Sequence, residues 1–227
     1  MPNRSLAVLG MHRSGTSCLA GLLEQAGVFL GPVSRANPWN LKGNHENPAI
    51  LRLHEEVLNT NGGRWDAPPA AVVWPEYLKI ARDRIVRSYQ GVPLWGFKDP
   101  RTLLLLDGWI EALPDLRFVG IVRHPALVAE SLNRRNRFPR EQGLGLWLSY
   151  NRRLLSFHRA REFPMISFDA ERFQDSFVCA AKALPLPSSF ADLDFFDPEL
   201  RRAMPDRPVP LPDEVERLYR ALIERTV

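Results

Sequence analysis

The sequence predicts an α/β protein: a P-loop-type, doubly wound parallel sheet flanked by helices, in a single domain spanning residues 1–227. Three observations carry that prediction. Short apolar runs alternate with helical patterns along the chain. The runs are apolar throughout, as suits strands covered on both faces. The first of them leads through a glycine-bearing loop into an amphipathic helix, in "LAVLGMHRSGTSCLAGLLEQAG" (Leu6–Gly27). A chain of 227 residues that is 45% hydrophobic can bury one substantial core, and a second domain would be a squeeze.

Taken in order, the first strand is Ser5–Gly10 and the first helix Thr16–Ala26. The stretch "GPVSRANPWNLKGNHEN" (Gly31–Asn47) is too polar for core and too long for a simple turn, which marks residues 31–47 as a substrate or nucleotide loop. Helices follow at Pro48–Asn59 and Pro75–Tyr89, each with proline in a first turn that has no N–H to lose. A strand at Pro93–Lys98 precedes a helix at Thr102–Ala112, and a strand at Arg117–Arg123 precedes helices at Pro125–Arg135 and Gln142–Glu162. The last strand is Pro164–Asp169, followed by a helix at Ala170–Leu184. A second long polar stretch, residues 184–212, holds Phe190, Phe195 and Phe196 to dock it, with Arg201 and Arg202 beside them. The final helix is Asp213–Glu224.

Composition excludes several classes. No run of about 18 apolar residues exists to cross a membrane, and the start breaks into polar loop too early for a secretory signal. The expectation is a soluble cytoplasmic protein without membrane insertion. Cys18 and Cys179 lie in helical patterns without CxxC spacing, which argues against a zinc site and suggests two small core residues. The net charge of +4 is modest, few cations are lysines and no basic-aromatic repeat exists, so nucleic acid is not an expected partner. Arginine dominates the cations and suits bidentate phosphate or sulfate contacts, although a genome rich in G and C explains most of that bias.

The loop after the first strand keeps P-loop glycine spacing at Gly10 and Gly15, followed by Thr16 and Ser17, but Thr16 stands where a phosphate-gripping lysine belongs. Backbone N–H groups of Arg13 to Ser17 face one anion at a positive helix end, and the two hydroxyls can donate to it. Arg13 is the nearby permanent cation. A terminal group less charged than a γ-phosphate, with no obligatory metal, fits this substitution. A second anion site follows in "RFVGIVRHPALVAESLNRR", where Arg123 closes a strand and Ser131 lies about two turns into a helix. Arg123 has an alternative as an ion-pair partner of Asp99 or Asp169, and Ser131 as a solvent-facing residue. Together the two sites imply a ligand with two separated anionic groups.

These residues resemble the sulfotransferase family, whose members use 3′-phosphoadenosine 5′-phosphosulfate (PAPS) as sulfuryl donor. The resemblance rests on "GMHRSGTS", on "GFKDPR" at Gly96–Arg101, on "IVRHPALVAESL" at Ile121–Leu132 and, more loosely, on "FFDPELRR" at Phe195–Arg202. It is nearest to the bacterial and protein-tyrosine sulfotransferase branches. It implies that the loop residues His12, Arg13, Ser14, Gly15, Thr16 and Ser17 hold the 5′-phosphosulfate. Arg123 with Ser131 would hold the 3′-phosphate, and no metal is needed. It also implies a hydroxyl-bearing acceptor, whose identity the sequence leaves open along with oligomeric state.

In-line transfer needs a base for the acceptor and a cation for the leaving oxygen. "GNHENP" (Gly43–Pro48) offers Glu46, which the resemblance favours, and His45, whose imidazole titrates near neutrality unaided. Glu46 also reads as a carboxylate interacting with a helix dipole. Lys98 emerges at a strand end, where open α/β folds place ligands, and the resemblance gives it the leaving oxygen. Arg13 completes the catalytic candidates. Asp99 orients Lys98 or Arg101, and Arg101 reads equally as an acceptor contact or a surface residue. His12 and His124 adjoin the anion sites without having to touch them. The pairs Arg134–Arg135 and Arg152–Arg153 read as solvated helix faces, and Trp39, Trp65 and Trp74 as acceptor-pocket walls or core. The alternatives are a small-molecule kinase using ATP-Mg, which needs a cation replacing the missing lysine, and a non-catalytic nucleotide-binding module.

Overall fold

The chain alternates strands and helices in the order β1 (Arg4–Leu9), α1 (Thr16–Gln25), α2 (Pro48–Thr60), α3 (Glu76–Ser88), β2 (Leu94–Lys98), α4 (Thr102–Ala112), β3 (Arg117–Val122), α5 (Pro125–Asn136), α6 (Arg140–Arg161), β4 (Met165–Ser167), α7 (Phe173–Lys182) and α8 (Asp213–Ile223). This is a computed structural model, and it describes residues 4–34, 40–184, 186, 193–200 and 210–227. Trp39, Phe190, Arg201 and Arg202 lie outside the described residues, as do parts of the two long polar stretches.

All pairings in the four-stranded sheet are parallel, in the order β2-β1-β3-β4. Both faces are covered, which explains the unbroken apolar runs. Leu6 and Val8 of β1, with Val119 and Ile121 of β3, meet α1 and α7 on one face. Ala7 and Leu9, with Trp95, Phe97, Phe118 and Val122, meet the other helices on the opposite face. The side-chain period of two therefore sorts each strand between two cores. The result is a single α/β domain with a parallel sheet flanked by helices.

The chain passes from β1 outward to β2, then crosses back to β3 on the other side of β1. That reversal opens a crevice at the carboxyl ends of β1 and β3, the place where such sheets bind ligands. The loop Gly10–Gly15 and residue Arg123 both stand there.

Two expectations need correction. Neither cysteine is core: Cys18 is half-buried and Cys179 is exposed. Helix α7 starts at Phe173 rather than Ala170, because the chain first turns after β4, with Ala170 N–H donating to the Ser167 carbonyl. No helix among the described residues is long and apolar enough to cross a membrane.

Candidate active site

The crevice widens into a cavity of about 660 Å³ lined by the loop, the end of β2, the segment before α2 and the stretch around Phe195. Its loop is shaped by backbone geometry. Arg13 and Gly15 have φ of 68° and 86°, and Gly15 caps α1. The first N–H groups of α1 have no intrahelical acceptor and carry its positive end. The glycines are required by packing as well. A Cβ on Gly10 would lie 2.7 Å from the Ile121 carbonyl, and one on Gly15 would lie 2.3 Å from the Phe168 ring. The loop is thus seated directly on the ends of β3 and β4.

Lys98, the last residue of β2, is buried and donates to Glu46 Oε1 at 2.7 Å and to Ser17 Oγ at 3.3 Å. Burial lowers the Lys98 pKa, and the Glu46 carboxylate partly offsets that. Glu46 is held from both directions. Its carbonyl accepts from Ser34 N–H, and the next residue, Asn47, caps α2 by accepting from Ala49 N–H at 2.9 Å ahead of Pro48 in the first turn. Asn47 also donates to the Tyr89 hydroxyl at 2.8 Å, which anchors the helix start in the core.

His45 takes a different position from its neighbour. It is buried at φ 54° and does not line the cavity. Its Nε2 lies 2.9 Å from the Lys42 carbonyl and its Nδ1 3.1 Å from Glu24. Both ring nitrogens are thus turned to protein groups on the far side of the segment.

Of the residues expected to form a second anion site, Arg123 lines the cavity, over the face of Phe168 at 5.1 Å, and pairs with Asp169 at 3.3 Å. Asp169 also accepts from His124 N–H at 2.7 Å, so one carboxylate fixes both the guanidinium and the start of α5. Ser131 does not converge on open space beside Arg123: its Oγ accepts from Arg13 Nε at 2.8 Å. Arg13 is therefore drawn across from the first loop to the second site. Burial, then the nearby Arg135 and Arg123, bring its pKa down to about 10. His124 caps its own helix through Nδ1 and packs edge-on to Tyr219, away from the cavity lining.

Beyond the Lys98–Glu46 pair, Asp99 orients Arg101 rather than Lys98. Its Oδ1 accepts from the Arg101 backbone N–H at 2.9 Å and from Nη1 at 3.0 Å. Its Oδ2 lies 3.0 Å from His54 Nδ1, while His54 Nε2 accepts from the Trp109 indole at 2.7 Å. Accepting at Nε2 places the imidazole proton on Nδ1, donating to Asp99. Burial alone would raise the Asp99 pKa, but His54 and Arg101 outweigh it and hold the carboxyl well below its usual range. Arg101 is a buried cavity residue, not a surface arginine.

The sequence reading missed Arg135. It lines the cavity over the Trp65 ring at 5.4 Å, whereas Arg134 faces outward and pairs with Glu130. The signal was present: Arg135 stands four residues after Ser131, on the same helix face. Trp65 is a cavity wall, its ring tilted at 49° beside His12 with centroids 4.5 Å apart, but Trp74 is core against Trp109. His12 lines the cavity too, with Nε2 buried and without a hydrogen-bond partner among the described residues. Burial, then the Arg101 charge, lowers its pKa well below the ordinary value, leaving it neutral at pH 7.

This fold has solved counterparts. The sulfotransferase domain of the olefin synthase from Synechococcus PCC 7002 superposes with a TM-score of 0.50 at 17% identity, over 80% of this chain and 71% of that one. Sulfotransferase STF1 from Mycobacterium tuberculosis H37Rv aligns with a TM-score of 0.44 at 15% identity, over 96% of this chain and 71% of that one. No protein-family model matches the chain, and no curated protein matches it by sequence. The chain has the fold of a sulfotransferase domain.

Proposed function

We propose that the protein is a sulfotransferase that moves a sulfuryl group from PAPS to a hydroxyl acceptor by in-line transfer. The observation that carries this reading is the buried Lys98–Glu46 pair at 2.7 Å, set against Ser17 of the anion loop. One buried cation there adjoins both the anion cradle and a carboxylate facing the cavity.

The residues present fit an anionic donor. The N-terminal N–H groups of α1 converge on the cavity, and the buried Ser14 Oγ lacks a hydrogen-bond partner among the described residues. Buried polar atoms of this kind are costly unless something completes them. Gly15, Thr16, Ser17 and Lys98 would hold the phosphosulfate end, and Arg123 with Arg13 the ribose phosphate. When bound, PAPS supplies the activated sulfuryl group. Glu46 receives the acceptor's hydroxyl proton on Oε2, while Lys98, donating to Oε1 at 2.7 Å, fixes the orientation of the carboxylate. Lys98 and the α1 N–H groups offset charge on the leaving oxygen. The same contact between Lys98 and Ser17 is what a kinase would use in place of its missing lysine, so the test must separate the two nucleotides.

Thermal stability is measured with adenosine 3′,5′-bisphosphate, ADP-magnesium and AMP. The bisphosphate at a hundredfold excess over its Kd is expected to add about 2.7 kcal/mol. A larger effect of ADP-magnesium favours the kinase. Glu46→Gln is expected to keep bisphosphate binding and to lower sulfuryl transfer by about a hundredfold or more, the usual span for general-base removal. Unchanged transfer would remove Glu46 as the base.

A further inference from the structure

The charges lining the cavity are unevenly matched. Arg123 is paired with Asp169, Lys98 with Glu46, and Arg101 with Asp99 and Glu55. Arg135 has no carboxylate partner among the described residues; its Nε donates only to the neighbouring Asn136 side chain at 2.7 Å. It is nonetheless half-buried, and that burial lowers its pKa. A guanidinium taken partly out of water without a counter-charge is unfavourable unless a ligand supplies one.

Its surroundings say which part of a ligand. Arg135 lies within the electrostatic reach of Glu46, the proposed base, and of Arg101, and also of Arg13 beside the expected second anion site. It lies over Trp65, whose ring is tilted beside His12 and whose carbonyl accepts from the Tyr150 hydroxyl at 2.8 Å. The buried His12, whose Nε2 has no hydrogen-bond partner among the described residues, lines the same cavity and adds a neutral hydrogen-bonding atom. An aromatic wall, a neutral imidazole and a guanidinium without a carboxylate partner among the described residues thus bound one part of the cavity that Glu46 also lines.

Resting on the sulfotransferase reading, we infer that the acceptor is a hydroxyl compound that also carries an anionic group, a carboxylate or a phosphate, which Arg135 binds. A charge-assisted, bidentate contact of this kind fixes orientation as well as affinity. It would turn the acceptor hydroxyl toward Glu46 by holding the opposite end.

The test uses matched probes: a cresol against the corresponding hydroxyphenylacetate, and glucose against glucuronate and against glucose phosphate. Binding is read by titration calorimetry with adenosine bisphosphate at saturation, so that the donor cradles are filled, and is repeated without nucleotide. The charged member of at least one set is expected to bind about tenfold or more tightly than its neutral partner. Arg135→Gln should erase that preference, while Arg134→Gln, on the outward face of the same helix, should leave it intact. Bisphosphate affinity should be unchanged in both variants. Equal binding of charged and neutral members across all sets overturns the inference. So does a loss of bisphosphate affinity in Arg135→Gln as large as the loss of acid binding, which would make Arg135 a donor residue. Failure of the native protein to bind the bisphosphate, with the Arg135-dependent preference retained, overturns the sulfotransferase reading and leaves an anion site.

Discussion

Asp99 shows how much of a site can depend on a residue that never faces the ligand. Its carboxylate links the Trp109–His54 pair on one side to Arg101 on the other. Removing one partner of such a buried pair strands the other, so Asp99→Asn should cost about 3 to 5 kcal/mol in urea unfolding near neutrality. Because the folded pKa of Asp99 is depressed, the stability it contributes is present above the unfolded value of 3.8 and is lost as pH falls through and below it. The native protein should therefore lose stability more steeply than Asp99→Asn on titration to about pH 3, and the gap between them should narrow. Glu46, Lys98 and Arg123 were legible in the sequence because each sits next to an element boundary that proline or strand composition marks. Trp109 and His54 were not, since their partnership depends on two helices packing together. Arg135 was masked by Arg134, whose adjacency suggested a solvated pair although consecutive helical residues point in different directions.

At the scale of elements, the loop Gly10–Gly15 is inseparable from the strands beneath it. Gly15 needs its positive φ, and any side chain there meets Phe168, whose ring lies under the Arg123 guanidinium. Gly15→Ala should cost about 2 to 5 kcal/mol, combining left-handed backbone strain with overpacking. It should also weaken adenosine bisphosphate by disturbing Arg123 through Phe168, which urea unfolding and calorimetry would measure together. Local pattern was enough to locate the strands and helices because strands with two buried faces and helices begun by proline leave strong traces in sequence. It failed at the start of α7, where Asp169 is committed to Arg123 and His124 and the chain must complete a turn before a helix can begin.

For the whole molecule, the order of strands does what no single motif can. By reversing direction at β1, the chain brings residues from its first and middle thirds to one end of the sheet, and the cavity forms where they meet. This convergence was readable only as two separate anion motifs. Closure comes from parts still more distant in sequence. Gly21 of α1 leaves room for the Phe195 ring, Gln25 accepts from Phe195 N–H, and Lys42 donates to the Phe195 carbonyl from the opposite wall. On the proposed reading, a nucleotide held beneath that clasp would leave only as the clasp parts; release of spent donor is then expected to limit turnover, which a burst of product in the first turnover would show.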